Sequence, residues 1–233
     1  MTAPDASFDS RLEQAKLDAM KELAYGASHE INNPLANISA RAQSLLRDER
    51  DPERRRTLEA IHLQALRAHE MISDLMLFAR PPKLELASTS LGEVVQQAAR
   101  GLAPELQRRE ISLAITIDDT LPACLADSTH LQVAVHTLLD NAANAIGRGG
   151  VINVAVKRDE GSQVQIIVAD NGPGIAAEVR PHIFDPFYSG REAGRGLGFG
   201  LSKAWRIITL HGGSIEVESP PTGGATFTIT LPE

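Results

Sequence analysis

The sequence has little cysteine, no long apolar run and no excess of basic residues. A single cysteine, Cys124, among 233 residues excludes an intramolecular disulfide and permits a reducing compartment. No apolar run of about eighteen residues and no signal-like N-terminus is present, so the sequence offers no membrane span. Acidic residues outnumber lysine and arginine by 30 to 23, whereas nucleic-acid binders normally carry a basic surplus. We therefore expect a soluble chain without a nucleic-acid partner, either free or as part of a longer membrane-anchored protein.

Two long helices are predicted for the first eighty residues. Apolar residues recur at helical spacing from about Asp9 to Arg47, and the polar segment from Asp48 to Pro52 breaks this pattern. Beyond it, two sets of residues repeat every seven positions and form an a/d seam: Leu58, Ala65, Ile72 and Ala79, with Ile61, Ala68 and Leu75. One such hairpin buries its seam poorly, so we expect two antiparallel hairpins to form a homodimeric four-helix bundle.

A different pattern begins after the prolines at 81 and 82. We predict a hairpin domain over residues 1–80, a linker over 81–89 and an α/β sandwich over 90–233, hence a multidomain α and α+β fold. The sandwich is predicted to contain helices and strands in this order: helix Leu91–Arg109, strand Ile111–Ile117, helix Ser128–Gly147, strands Val151–Arg158 and Val164–Ala169, helix Leu201–His211, and strands Ser214–Glu218 and Thr226–Leu231.

Two glycine-rich segments suit a nucleotide. Asp170 ends a predicted strand, and Gly172 and Gly174 follow it, so a carboxylate that suits the exocyclic amine of adenine stands beside backbone that can approach a flat ligand. A tight turn explains this segment equally well on its own. The second segment has glycines at 194, 196, 198 and 200 before a helix, where backbone amides could cradle phosphate, although a flexible loop is the alternative.

Two asparagines lie on one face of the predicted helix Ser128–Gly147. Asn141 and Asn144 are three residues apart, and amide oxygens suit a Mg²⁺ ion that bridges nucleotide phosphates. Hydrogen bonds to nearby backbone are the alternative for both side chains.

Together and in this order, the three motifs resemble the ATP-binding domain of sensor histidine kinases, a Bergerat-type fold shared with gyrase-type and mismatch-repair ATPases. The resemblance implies ATP and Mg²⁺ as cofactors, Asn141 as the metal ligand and a mobile lid from Ile175 to Phe199. Departures from the usual pattern are Thr137, Leu197 and Phe199. The following residues match the family's motifs: Asn141, Asp170, Gly172, Gly174, Phe184 to Tyr188, Gly196, Gly198, Gly200 and Gly223 to Phe227. Asn144, on the same helix face as Asn141, is a further candidate for binding the cofactor.

The same family supplies an interpretation of the segment from Ser28 to Leu35, which resembles its phosphoacceptor box. His29 lies off the apolar stripe, and the adjacent Glu30 can accept its Nδ1 proton, leaving Nε2 as the nucleophile toward a γ-phosphoryl group. Asn33, one turn on, matches the family position that orients water against a phosphorylated partner, and Pro34 is expected to bend the helix.

The resemblance implies autophosphorylation of His29, transfer to an aspartate of a response-regulator receiver domain, and phosphatase activity. Two other classes use parts of the same pattern. An ATP-driven clamp of the gyrase or chaperone type needs no phosphoacceptor histidine, and a degenerate signalling scaffold would not bind ATP in a magnesium-dependent way.

Overall fold

The structure, a computed structural model, describes residues 30–79, 83–118, 120–159, 161, 163–186, 188 and 198–232. The chain divides into two compact units, Met1–Pro82 and Lys83–Glu233. The first is helical and the second combines a mixed sheet with helices, which confirms the predicted fold class. The part of the first predicted helix before residue 30 lies outside the described residues.

Two antiparallel helices form the described part of the first unit. Helix α1 comprises residues 30–46, and helix α2 spans Pro52–Ala79. Three hydrogen bonds join the helices: Asn32 Oδ1 with His69 Nδ1 at 3.0 Å, Ser39 Oγ with His62 Nδ1 at 2.9 Å, and Leu46 O with Arg55 Nη1 at 3.3 Å. The partners advance from 32 to 39 to 46 along α1 and fall from 69 to 62 to 55 along α2. This constant step shows an antiparallel hairpin in heptad register.

The loop between the helices is short because Asp51 starts α2. Its Oδ1 accepts hydrogen bonds from the N–H groups of Glu53 and Arg54, both at 2.9 Å. Pro52 is the first helical residue, where its missing N–H is not needed. The predicted break at Pro52 is therefore confirmed.

The predicted seam of α2 is only partly buried within one chain. Ala65 and Leu75 are buried, but Ile61 is 43% exposed. On α1, three apolar residues spaced by seven are exposed to 40%, 45% and 62%, namely Ile31, Ile38 and Leu45.

The second unit contains seven strands and three α-helices among its described residues. In chain order these are β1 (Ala87–Thr89), α3 (Leu91–Arg108), β2 (Ile111–Ile117), β3 (Cys124–Ala126), α4 (Ser128–Ile146), β4 (Gly150–Arg158), β5 (Val164–Asp170), α5 (Gly200–Leu210), β6 (Ser214–Glu218) and β7 (Ala225–Leu231). A 3₁₀ turn at Arg180–His182 lies within the segment from Ile175 to Phe199 that is predicted as a lid.

Five strands form one mixed sheet in the order β2-β4-β5-β7-β6. The β2–β4 pair is parallel, and the other three pairs are antiparallel. The parallel pair is connected through α4, whereas β4 and β5 follow each other directly. This order places the end of β5 beside the start of β7, because Asp170 pairs with Ala225.

Helices α3, α4 and α5 pack against this sheet, which has one buried face. Side chains alternate along β7, where Phe227 and Ile229 are fully buried while Thr228 between them is part-exposed. Helix α4 is central because it contacts both α3 and α5 as well as β4 and β5. Seven of its side chains are buried: Leu131, Ala134, Val135, Leu138, Leu139, Ala142 and Ala143. The core therefore fixes α4 against the sheet and leaves its remaining face for other contacts.

Two short strands, β1 and β3, were not predicted. They pair antiparallel, with Ala87 opposite Ala126. Residues 83–89, within the range predicted as a linker, belong to the second unit. A hydrogen bond of 2.9 Å from the Glu85 N–H to Asp127 Oδ2 ties this segment to the start of α4.

Candidate nucleotide-binding site

One stripe of helix α4 faces both glycine segments. Thr137, Asn141 and Ala145 are spaced by four residues, so they lie on one side of the helix. A Cβ on Gly200 would lie 3.5 Å from Thr137 Cγ2, and a Cβ on Gly172 would lie 3.4 Å from Ala145 Cβ. Asn141 therefore lies on the helix face between the two segments.

The two predicted asparagines have different surroundings. Asn141 is part-exposed, and its side-chain amide forms no hydrogen bond with any of the described residues. In contrast, Asn144 Oδ1 accepts a hydrogen bond of 2.9 Å from Arg109 Nη1, and its Nδ2 donates to Asp140 Oδ2 at 2.7 Å. Among the described residues, Asn141 thus keeps an unengaged amide. A direct contact of Asn144 with the nucleotide stays a prediction, and its amide would have to serve the nucleotide together with Arg109 and Asp140.

Asp170 is the last residue of β5 and is part-buried. Burial raises the pKa of its carboxyl, and hydrogen bonds from the backbone of Gly172 and Ala225 oppose that rise. The Gly172 N–H donates to Oδ1 at 2.8 Å. These bonds orient the carboxylate at the sheet end, and its remaining acceptor capacity suits an amine donor.

The first glycine segment requires glycine at two positions. A Cβ on Gly172 would lie 2.9 Å from Asp170 Oδ1, so a side chain would disturb the carboxylate. Gly174 has a φ of +83°, and a Cβ there would lie 2.8 Å from Ser219 Oγ. The segment is thus packed closely on its protein side.

Ser219 holds the first glycine segment to the motif from Gly223 to Phe227. Its Oγ accepts a hydrogen bond of 2.8 Å from the Ile175 N–H and donates to Gly224 O at 2.7 Å. Arg180 Nη2 donates to Ser219 O, also at 2.7 Å. Sequence reasoning missed Ser219 and Arg180, because partners 44 and 39 residues apart leave no local spacing signal.

The second glycine segment leads directly into α5. Gly198 has a φ of +74°, and Gly200 is the first helical residue, whereas Gly196 lies outside the described residues. Phe199, the N-cap residue, is buried and its side chain makes no cap hydrogen bond. The first backbone N–H groups of α5 therefore lie at a helix N-terminus beside α4, a geometry that favours the binding of an anion.

The segment from Phe184 to Tyr188, which matches a family motif, begins against the core. Phe184 meets the fully buried Phe227 edge to face, with ring centroids 6.4 Å apart and an interplanar angle of 85°. Ile183 beside it is also buried. Phe187 lies outside the described residues. These contacts anchor an inner part of the segment predicted as a lid.

Part of the phosphoacceptor segment can be described. His29 lies outside the described residues, and Glu30 is the first described residue of the chain. Glu30 and Asn33 are both helical and exposed, three positions apart on α1. Asn32 between them is bonded to His69 of α2. Asn33 is thus available to solvent, as the predicted phosphatase role requires.

The two units match two families. Residues 19–83 match the His Kinase A phosphoacceptor domain, and residues 126–233 match the histidine kinase-, DNA gyrase B- and HSP90-like ATPase. The chain belongs to the sensor histidine kinase family. Among curated relatives, the kinase core is 37% identical over 218 residues to the sensor histidine kinase ZraS of Klebsiella oxytoca, covering 93% of the chain and 47% of ZraS. It is also 37% identical over 220 residues to the alginate biosynthesis sensor protein KinB of Pseudomonas aeruginosa, covering 91% of the chain and 36% of KinB.

The kinase also resembles solved structures. Full-length ShkA in complex with AMPPNP superposes with a TM-score of 0.80 at 26% identity, over 91% of this chain and 45% of ShkA. The catalytic domain of the histidine kinase ThkA gives a TM-score of 0.58 at 28% identity, over 64% of this chain and 96% of that domain. Together with the ATPase family match, these likenesses support ATP binding. The chain spans about half the length of ZraS and about a third of the length of KinB.

Two further properties concern only the described part of the kinase. No helix there is long and apolar enough to cross a membrane. Within the same residues, no group of three histidine, cysteine, aspartate or glutamate side chains is arranged to hold a metal ion. A metal beside Asn141 would therefore have to share oxygen ligands with a nucleotide and water.

Proposed function

We propose that the chain is an ATP-dependent protein histidine kinase that phosphorylates its own His29 and passes the phosphoryl group to an aspartate of a response-regulator receiver domain. The observation that carries this proposal is the arrangement of Asn141 between two glycine segments, with Asp170 at the strand end beside one of them. An amide, a part-buried carboxylate and an uncapped helix start suit the metal, base and phosphates of one nucleotide. Because ATP is an intracellular substrate, we assign this activity to the cytoplasm.

Each part of ATP has a suitable group in the site. The Asp170 carboxylate would accept a hydrogen bond from the exocyclic amine of adenine, close to backbone that carries no side chain at Gly172 and Gly174. The phosphates would lie toward Gly198 and Gly200, where the positive end of α5 favours negative charge. This orientation runs along α4 and past Asn141.

The residues present fit a Mg²⁺ ion. Asn141 offers an amide oxygen without a partner among the described residues, and Mg²⁺ usually binds through one or two protein oxygens, substrate phosphates and water. When bound, the ion would neutralise phosphate charge. The Asn141 amide would hold it on the α4 side of the phosphates.

Phosphorylation requires a nucleophilic ring nitrogen on His29. With the Nδ1 proton directed to Glu30, the Nε2 lone pair attacks the γ-phosphorus in line, the N–P bond forms, and the bond to the bridging β,γ-oxygen breaks to release ADP. Attack by the Asp carboxylate of a receiver domain then breaks the N–P bond. In the phosphatase reaction, Asn33 would orient a water molecule for hydrolysis of the receiver's aspartyl phosphate.

We also propose a homodimer through the helical hairpin. Ile31, Ile38 and Leu45 recur every seven residues on α1 and remain exposed within one chain. A second hairpin that covers this stripe would complete a four-helix bundle. The receiver domain would dock near His29, where Ala36 and Ala40 are small and exposed.

The proposal is tested with γ-labelled ATP and Mg²⁺. We expect label on the wild-type chain, loss of label in Asn141→Ala, and normal labelling in the control Asn153→Ala, whose exposed asparagine lies on β4 away from α4. ATP hydrolysis without labelled protein, unchanged in His29→Ala, would instead indicate a clamp-type ATPase. Absence of magnesium-dependent ATP binding would indicate a scaffold.

A further inference from the structure

One arginine connects the end of α3 to the turn of α4 that carries the asparagines. Arg109 Nη1 donates to Asn144 Oδ1 at 2.9 Å and to the backbone oxygen of Ala143 at 3.2 Å. Its Nε donates to Glu105 Oε1 at 2.5 Å, and its side chain is only 22% exposed. The guanidinium is therefore fixed by bonds on both sides, with a rigid geometry that lysine cannot reproduce.

The contact continues through Asn144 to the residue next to Asn141. Because Asn144 Oδ1 accepts from Arg109, its Nδ2 is turned toward Asp140 and donates to Oδ2 at 2.7 Å. This bond holds the Asp140 carboxylate on the Asn144 side of the helix. A free carboxylate at 140 could compete with Asn141 for a cation or repel phosphate.

The same arginine also fixes the backbone of this turn. Ala143 O, which Arg109 contacts, is the acceptor for the Gly147 N–H that ends α4, at 3.0 Å. The Gly149 N–H in turn donates to Arg109 O at 2.9 Å. The last turn of α4 is thus held from outside the helix.

We infer that Arg109 is a positioning residue for the magnesium-bound nucleotide: through Asn144 and Ala143 it sets the turn of α4 that presents Asn141 and keeps Asp140 away from the phosphates. The inference rests on the proposed ATP-binding function. It assigns Asn144 an indirect role, in place of a direct contact with the nucleotide.

The chain offers a matched control in the neighbouring Arg108. It binds the same Glu105 carboxylate, with Nε to Oε2 at 2.9 Å and Nη2 to Oε1 at 2.5 Å, but it is 69% exposed. Among the described residues, its hydrogen bonds stay within α3. Arg108→Ala therefore removes an equal charge and a bond to the same partner, Glu105, and leaves the contacts with α4 in place.

The test measures affinity for a fluorescent ATP analogue on the full chain, once with excess Mg²⁺ and once with chelator. Loss of a charge-assisted hydrogen bond predicts about tenfold weaker binding in Mg²⁺ for Arg109→Ala. Binding in chelator, which relies on Asp170 and the glycine segments, should change less than about twofold by the same reasoning. Arg108→Ala should match the wild type in both conditions.

Asn144→Leu and the double variant with Arg109→Ala complete the design. If Arg109 acts through Asn144, the single variants lose similar affinity in Mg²⁺ and the double variant loses no more than either. Arg109→Lys should recover only part of the affinity. A large loss in Asn144→Leu beside normal binding in Arg109→Ala would mean that Asn144 touches the nucleotide directly, and would overturn the inference.

Unfolding measurements separate positioning from a general loss of structure. The fluorescence of Trp205, the single tryptophan of the chain, reports on α5 in the second unit. Equal loss of affinity with and without Mg²⁺ would show a structural role and would overturn the inference. If Arg109→Ala does not fold, Asn144→Leu and Arg109→Lys decide by the same magnesium comparison. A wild-type chain that binds no nucleotide in either condition would instead refute the proposed function itself.

Discussion

Replacement of Asp127 should destabilise the second unit strongly and in a pH-dependent way. Asp127 is buried at 5% exposure and caps α4, where its Oδ1 accepts from the His130 N–H at 3.0 Å. Its Oδ2 accepts from the Glu85 N–H at 2.9 Å and lies 2.8 Å from His130 Nδ1. One carboxylate thus joins the entry of the second unit to its central helix.

The magnitude follows from these contacts. Loss of an N-cap costs about 1 kcal/mol, and loss of a hydrogen bond to a charged group costs about 1.5 to 3 kcal/mol. We expect Asp127→Ala to lower the free energy of unfolding by about 3 kcal/mol on these values. Asp127→Asn keeps one acceptor oxygen and should cost roughly half as much.

The pKa of Asp127 gives an independent estimate. Burial alone would raise it, but the N–H groups of Glu85 and His130 and the His130 ring outweigh burial and lower the pKa from 3.8 to about 2. At about 1.4 kcal/mol per pH unit, this difference contributes about 2 kcal/mol at neutral pH. Because the folded pKa is the lower one, the contribution is complete well above pH 3.8 and is lost as the pH falls toward 2.

The assay is urea unfolding followed by Trp205 fluorescence at pH 7 and pH 3. The difference between wild type and Asp127→Ala should shrink at pH 3, where about half of the ionisation contribution remains. Asn153→Ala, at an exposed position of β4, serves as a control. A difference below about 1 kcal/mol at pH 7, or one equal at both pH values, would refute the role of the ionised carboxylate.

Three further predictions concern the sheet end. Phe227→Ala should lower unfolding free energy by about 3 to 5 kcal/mol, measured in urea, because it empties a fully buried site that also packs Phe184. Gly224→Ala should weaken ATP binding, since its φ is +81° and a Cβ would lie 2.6 Å from Asp170 O, whereas Gly161→Ala, with no neighbour closer than 3.5 Å, should bind normally. ATP affinity should fall as the pH drops through the raised pKa of Asp170, above 3.8, and Asp170→Asn should bind weakly with no such dependence.

Regular elements were predictable where alternation or periodicity extends over enough residues. The strands Ile111–Ile117 and Ser214–Glu218 have the predicted bounds, because buried and exposed side chains alternate along them. Strands β1 and β3 have three residues each, too few for any period to be recognised. Pro52 indicated the start of α2 from the sequence, and the structure adds Asp51 as the residue that caps it.

Residues of the candidate site could be proposed from the sequence, but their contacts could not. Motif order indicated Asn141 and Asp170, whose local neighbours lie close in sequence. Arg109 and Asn144 are 35 residues apart, and their bond depends on how the ends of α3 and α4 meet in three dimensions. From spacing alone, Asn144 was predicted to be a second ligand on the same helix face as Asn141. The structure shows that its amide oxygen is bonded to Arg109.

Chemical mapping of the phosphate tests the central claim most directly. After incubation of the wild-type chain with γ-labelled ATP and Mg²⁺, we expect acid-labile, base-stable label in the peptide that contains His29, and none in His29→Gln, which should still bind ATP because Asn141 and Asp170 are unchanged. Label that persists in His29→Gln, or that resists acid, would contradict the assignment of His29 as the phosphoacceptor.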